Sequence, residues 1–157
     1  LSAKAQLIVQ DCAIETDLEI LIPETYIANI SERLQLYAAL DNLPDETALA
    51  QFRNSVQDRF GVLPAPVEQL MDSVRLRWIG ERLGIAKIVL KNEKMRAEFT
   101  TEKQEYFKSE TFGRILQFIQ SHPRRCKLKD SGSKLVLTID DLPSVEATLD
   151  FLRPIST

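Results

Sequence analysis

From Ile14 to Ile22 apolar and charged positions alternate. Ile14, Thr16, Leu18, Ile20 and Ile22 fall on one side, Glu15, Asp17 and Glu19 on the other. Period two with one charged face predicts a half-exposed β-strand, stopped by Pro23. The period then lengthens. Ile27, Ile30, Leu34, Tyr37 and Ala38 predict a helix over 26–41, inward at those positions and broken by the Asp41-Asn-Leu-Pro44 turn. A second helix is expected over 45–60, with Leu49, Phe52, Val56 and Phe60 as its apolar stripe. Gly61 suits a left-handed cap there, and Pro64 lies shortly beyond. A third runs from 64 to 83 with Gly84 as its stop. It carries one stripe of Val67, Leu70, Met71, Val74 and Trp78 and another of Leu76, Ile79 and Leu83. Apolar on two sides, it is expected to be the central, doubly buried helix.

The texture changes after Gly84. Segments 85–91 and 95–99 flank Asn92-Glu-Lys94 and predict a β-hairpin. A helix over 109–120 turns Phe112, Ile115, Leu116 and Ile119 inward. A second hairpin joins 126–129 to 134–139, and a last helix covers 142–152 with Val145, Leu149 and Leu152 inward. The class expected is α+β, an N-terminal strand and three helices packed with a ββαββα-like C-terminal part. Residues 1–13 read as a lead-in from an upstream region, because a chain opening Leu1-Ser-Ala looks cut from a longer one. Residues 14–157 read as one domain, divisible into a helical lobe 14–84 and a mixed lobe 85–157.

Composition narrows the function. At 157 residues, with 44% hydrophobic and 27% charged side chains, the chain has the profile of a globular domain. No apolar run approaches the ~20 residues of a membrane helix, and no signal peptide is expected from the opening residues. Cys12 and Cys126 stand alone, without metal-ligand spacing, and read as buried thiols in a reducing cytoplasm. The net charge of −3 is uneven. Residues 1–50 carry nine acidic side chains against two basic, and residues 51–157 carry fourteen against eighteen. Such asymmetry suits charged protein partners but is too weak for a dedicated DNA-binding domain.

Catalytic signatures are missing. There is no phosphate loop, no GxGxxG, no GxSxG, and His122 has no Ser or Cys partner. His122 reads as a helix end, Asp140-Asp141 as caps of the last helix, and Glu15, Asp17 and Glu19 as the solvated face of an edge strand. Arg124, Arg125, Lys127, Lys129 and Lys134 form the one basic cluster. A solvated hairpin is the favoured explanation; the alternative is a nucleic-acid-binding accessory domain using 124–134 for phosphate contact, though no aromatic residues interleave as a single-strand platform wants. No catalytic residue, metal or cofactor is expected in this domain.

One stretch is distinctive: Asp58-Arg-Phe-Gly-Val-Leu-Pro-Ala-Pro-Val67, continuing through Leu70, Arg75-Leu-Arg77, Leu83-Gly-Ile85 and Lys87. Upstream stand Ile22-Pro-Glu-Thr-Tyr-Ile27 and Arg33-Leu-Gln-Leu-Tyr37. In combination these resemble the C-terminal domain of the bacterial transcription-repair coupling factors, the mutation frequency decline family, over about residues 14–100. The resemblance implies a parent that is an ATP-dependent DNA translocase, with ATP and Mg bound in motor domains elsewhere. That parent releases stalled RNA polymerase from duplex DNA and recruits the excision-repair sensor UvrA. The C-terminal domain is then an autoinhibitory, non-enzymatic clamp on the parent's own UvrB-like N-terminal module. The family's clamp positions carry over to Asp58 and Arg59, with Ser55 where a relative has Glu. Positions 55, 58 and 59 are neighbours on a helix surface, along one flank of the second helix's apolar stripe. The competing reading is an Asp58–Arg59 surface pair of no consequence.

Overall fold

The computed structural model describes residues 11–100 and 104–156. The expected lead-in lies outside the described residues up to residue 10. Element order is β1 (Ala13–Thr16), α1 (Ile30–Asp41), α2 (Glu46–Phe60), α3 (Ala65–Leu83), β2 (Ile85–Lys91), β3 (Lys94–Phe99), a 3-10 helix (Gln104–Lys108), α4 (Glu110–Ser121), β4 (Cys126–Asp130), β5 (Leu135–Ile139) and α5 (Val145–Leu152). This is the α+β class, with a strand and three helices ahead of a ββαββα run. Two compact units appear. One comprises residues 19–74; the other takes the chain up to Leu18 together with Arg75–Thr157, so α3 is continuous from the first unit into the second.

Within 19–74 the helix starts follow side-chain caps. Asn29 caps α1 by accepting from the Glu32 N–H, and Asp45 caps α2 by accepting from the Ala48 N–H. Helix α1 therefore begins at Ile30 rather than near residue 26, and of its expected inward positions Ile27 and Tyr37 are sheltered while Ile30, Leu34 and Ala38 are exposed. Ile30 and Leu34 are 63% and 61% exposed, while Leu40 is buried and the Tyr37 hydroxyl accepts from the Ile22 N–H at 2.8 Å. Arg33, Leu36 and Leu40, also helically spaced, turn inward beside Tyr37. At the end of α2, Gly61 sits at φ 96, ψ −169. That is the mirror-image extended region open to glycine, not the left-handed cap.

The second unit is built on one sheet of order β1-β2-β3-β5-β4. β1 runs parallel to β2; the other pairs are antiparallel. The strand expected over 14–22 shortens to 13–16 because its partner runs out. Thr16 pairs with Leu90, and β2 turns away after Lys91. Thr16 Oγ1 donates to the Leu90 carbonyl, and Asp17 accepts from the Asn92 N–H. The β2–β3 turn has two residues, Asn92 and Glu93, both at positive φ, as a type I′ hairpin needs. The inner face of the sheet is the core: Ile88, Leu90, Met95, Ala97, Leu137 and Ile139 are at most 1% exposed.

The C-terminal helices differ slightly from expectation. α5 is capped by Ser144, not by Asp140-Asp141. Asp141 has positive φ, and the carbonyls of both aspartates accept from Arg125. His122 does end α4: its N–H bonds the Ile119 carbonyl, and its ring packs against both Phe118 and Phe151.

Candidate docking face on helix α2

Leu49 and Val56 anchor α2 inward, with Phe52 and Phe60 half-buried. That leaves the other flank outside. Ser55, Asp58 and Arg59 are all exposed, as their spacing requires. Neither charged member lies in the core.

The two charges are not equivalent. Arg59 Nη2 donates to Glu32 Oε2 at 2.8 Å, from the last turn of α2 to the first turn of α1. Its guanidinium also lies 4.6 Å from the centroid of the Phe60 ring. Phe60 in turn packs 6.1 Å from Tyr26, whose hydroxyl donates to the Gly61 carbonyl at 2.7 Å. The Asp-Arg-Phe-Gly segment is thus held from below by an aromatic pair and a backbone hydrogen bond. Among the described residues no ion pair engages Asp58. Sequence spacing found Asp58, Arg59 and Ser55 but missed Glu32, 27 positions away from Arg59 and visible only once α1 and α2 are placed.

An exposed pair such as Arg59–Glu32 contributes at most about 1 kcal/mol. A double-mutant cycle of Arg59→Ala and Glu32→Ala, read by urea unfolding, is expected to give coupling below that figure. Arg59 could then exchange Glu32 for an external carboxylate at small cost. Coupling of about 3 kcal/mol would mean the guanidinium is locked in place.

The basic cluster at 124–134 does not act as one surface. Arg125 is committed inward: it donates to the carbonyls of Asp140 and Asp141 and stacks 4.0 Å over Phe151. Lys134 pairs with Glu98 at 3.4 Å. Arg124, Lys127 and Lys129 remain exposed, the last two on edge strand β4.

Both cysteines are free and buried, and burial pushes the Cys12 thiol up to about 12. No group of three or more potential metal ligands occurs among the described residues, and no helix there is long and apolar enough to cross a membrane.

This arrangement has a counterpart among solved structures. The crystal structure of the C-terminal domain of transcription-repair coupling factor matches with a TM-score of 0.75, covering 98% of this chain and 95% of that one at 13% identity. That likeness defines the fold class: an α+β domain of this architecture. The family model of the TRCF domain matches residues 16–109, and the chain belongs to that family. The transcription-repair-coupling factor of Rickettsia conorii is 28% identical over 123 residues, 78% of this chain and 10% of the relative. That of Escherichia coli is 28% identical over 144 residues, 92% of this chain and 12% of the relative. The chain spans about a tenth of the length of these relatives.

Proposed function

We propose that this domain is a non-enzymatic regulatory clamp of a transcription-repair coupling factor, and that the Ser55/Asp58/Arg59 flank of α2 is its docking face. The observation that carries the reading is the exposure of a carboxylate and a guanidinium at adjacent positions on a helix whose other side is anchored by Leu49 and Val56. The partner is the UvrB-like N-terminal module of the same parent chain. Docked there, the domain covers the UvrA-binding surface until the motor engages RNA polymerase and duplex DNA. ATP and Mg belong to the motor, and the parent works in the cytoplasm. Asp58 would accept a fork from a partner arginine; Arg59 would trade Glu32 for a partner carboxylate. Ser55 adds no charge, which keeps the clamp weak and reversible. Opening then needs a differential affinity of only a few kcal/mol.

In the full-length parent, Asp58→Ala combined with Arg59→Ala is expected to raise affinity for UvrA and for DNA in the absence of nucleotide. The rise should match a coupling of about 1–3 kcal/mol, or roughly 5- to 150-fold. Pull-down and anisotropy titrations read it. Wild-type affinities in the double variant would remove α2 from the clamp.

A further inference from the structure

The outer face of the five-stranded sheet is open, and its side chains belong to no site described so far. Register places them in three cross-strand rows. Lys87, Glu98, Val136 and Lys129 form one; Glu15, Val89, Arg96, Thr138 and Lys127 the next; Lys91 and Lys94 begin the third at the hairpin end. Lysine and arginine dominate. A shallow depression of about 500 Å³ lies over the β1–β3 side, lined by Lys87, Lys91, Lys94 and Arg96 among others.

The carboxylates on this face cluster with particular lysines. Glu15 pairs with Lys87 at 3.3 Å, Glu98 with Lys134 at 3.4 Å, and Asp140 lies 3.9 Å from Lys94. Among the described residues no carboxylate comes within ion-pair distance of Lys91, Arg96, Lys127 or Lys129. The uncompensated cations therefore form two lines, one along β2 and β3 and one along the edge strand β4. Strand β5 lies between them and contributes only Val136 and Thr138.

The spacing of those lines selects the ligand. Strands lie about 4.8 Å apart, so the β3 and β4 lines are ~10 Å apart and the β2 and β4 lines ~14 Å. Two strings of phosphates flank a major groove ~12 Å wide in duplex DNA. A single acidic peptide would use one line and leave the other idle. No aromatic side chain lies on this face, so bases have nothing to stack on, which disfavours a single strand. The large exposed apolar residues, Leu21, Ile30, Leu34 and Val62, all lie elsewhere, so the face also lacks the anchors of a protein interface.

We propose that this sheet face binds the phosphate backbone of duplex DNA, without sequence preference, through Lys91 and Arg96 on one line and Lys127 and Lys129 on the other. The proposal is independent of the α2 clamp, which uses none of these residues.

The test is fluorescence anisotropy of the 157-residue chain with 20-base-pair duplexes of two unrelated sequences, titrated across salt. Both duplexes should bind alike, with a slope of log affinity against log salt of about −4. Lys91→Gln with Arg96→Gln, and separately Lys127→Gln with Lys129→Gln, should each flatten that slope by about 2. All four side chains are exposed or nearly so, and unchanged melting temperatures would show the variants folded. Asp58→Ala with Arg59→Ala in the same chain should leave the slope alone. Absence of salt-dependent binding, a slope unmoved in folded double variants, or tighter binding of a polyglutamate peptide or a single strand of equal length would each overturn the proposal.

Discussion

Gly84→Ala is expected to destabilise the domain by about 2–6 kcal/mol, enough to consume much of the ~5–15 kcal/mol that holds a domain of this size together. Two costs add. Gly84 has φ +84, where an L side chain is strained by about 1–3 kcal/mol. A Cβ there would also lie 2.4 Å from a ring carbon of Tyr106. Tyr106 has no room to retreat. It is buried, its hydroxyl donates to the Leu83 carbonyl, and its ring sits 5.4 Å from Phe112 and 6.3 Å from Phe99. Overpacking of that kind costs a further ~1–3 kcal/mol. Urea unfolding followed by circular dichroism measures the sum. In a Tyr106→Leu background the steric part should shrink and the backbone part stay. A loss below about 1 kcal/mol would mean that the α3–β2 junction is looser than its geometry.

That junction explains why part of the domain could be read from its sequence. Gly61 and Gly84 punctuate helices because the backbone conformations beyond α2 and α3 require glycine, and both stand in the stretches that resemble the family. Asp45, Ser109 and Ser144 mark helix starts by a local hydrogen bond, so α2, α4 and α5 begin within a few residues of where the pattern puts them. The ββαββα order also follows, since each hairpin is a local event. Long-range pairing is different. The alternation from Ile14 to Ile22 records which side chains are sheltered, and burial does alternate along it. It does not record how far β2 extends alongside, and β2 ends after four paired positions. Helix α1 shows a second limit: two apolar sets fit its 3.6-residue period, and only packing decides which one turns inward. The set that lost, Ile30 and Leu34, is left in the open.

The candidate site divides the same way. Adjacent exposure of Ser55, Asp58 and Arg59 follows from helical spacing once Leu49 and Val56 are taken as core. The engagement of Arg59 by Glu32 needs two helices in place. For the basic cluster, sequence proximity misleads. Arg125 has the parity of Lys127 and Lys129 but lies in the turn ahead of β4, where its side chain is spent on the Asp140 and Asp141 carbonyls, while Arg96 and Lys91, far off in sequence, share the sheet face with the two lysines. A charged surface built on a sheet follows register, and register is not local.

A second close long-range contact in the same unit is expected to show itself through Gly80. In mid-helix, Gly→Ala normally stabilises by about 1 kcal/mol. Here an added Cβ would lie 2.5 Å from Cys12 Sγ, 3.1 Å from Cys12 Cβ and 3.4 Å from Ile88 Cδ1. The Cys12 N–H bonds the Glu81 carboxylate, which holds its backbone, and at 1% exposure the thiol is packed in on all sides. Gly80→Ala should therefore cost about 2–4 kcal/mol despite its helix propensity. Removing Sγ by Cys12→Ala takes away the closest approach and leaves only contacts that a few tenths of an ångström relieve. In that background Gly80→Ala should fall to within about 1 kcal/mol of neutral, a coupling of ~2–3 kcal/mol between residues 68 positions apart. Urea unfolding of the four proteins measures it. The same seat, with the thiol pushed up to about 12, keeps Cys12 unreactive toward a thiol reagent in the native state. An equal cost of Gly80→Ala in both backgrounds would show that the segment leading into β1 is not clamped on α3, and β1 would lose the contact that seats it at the sheet edge.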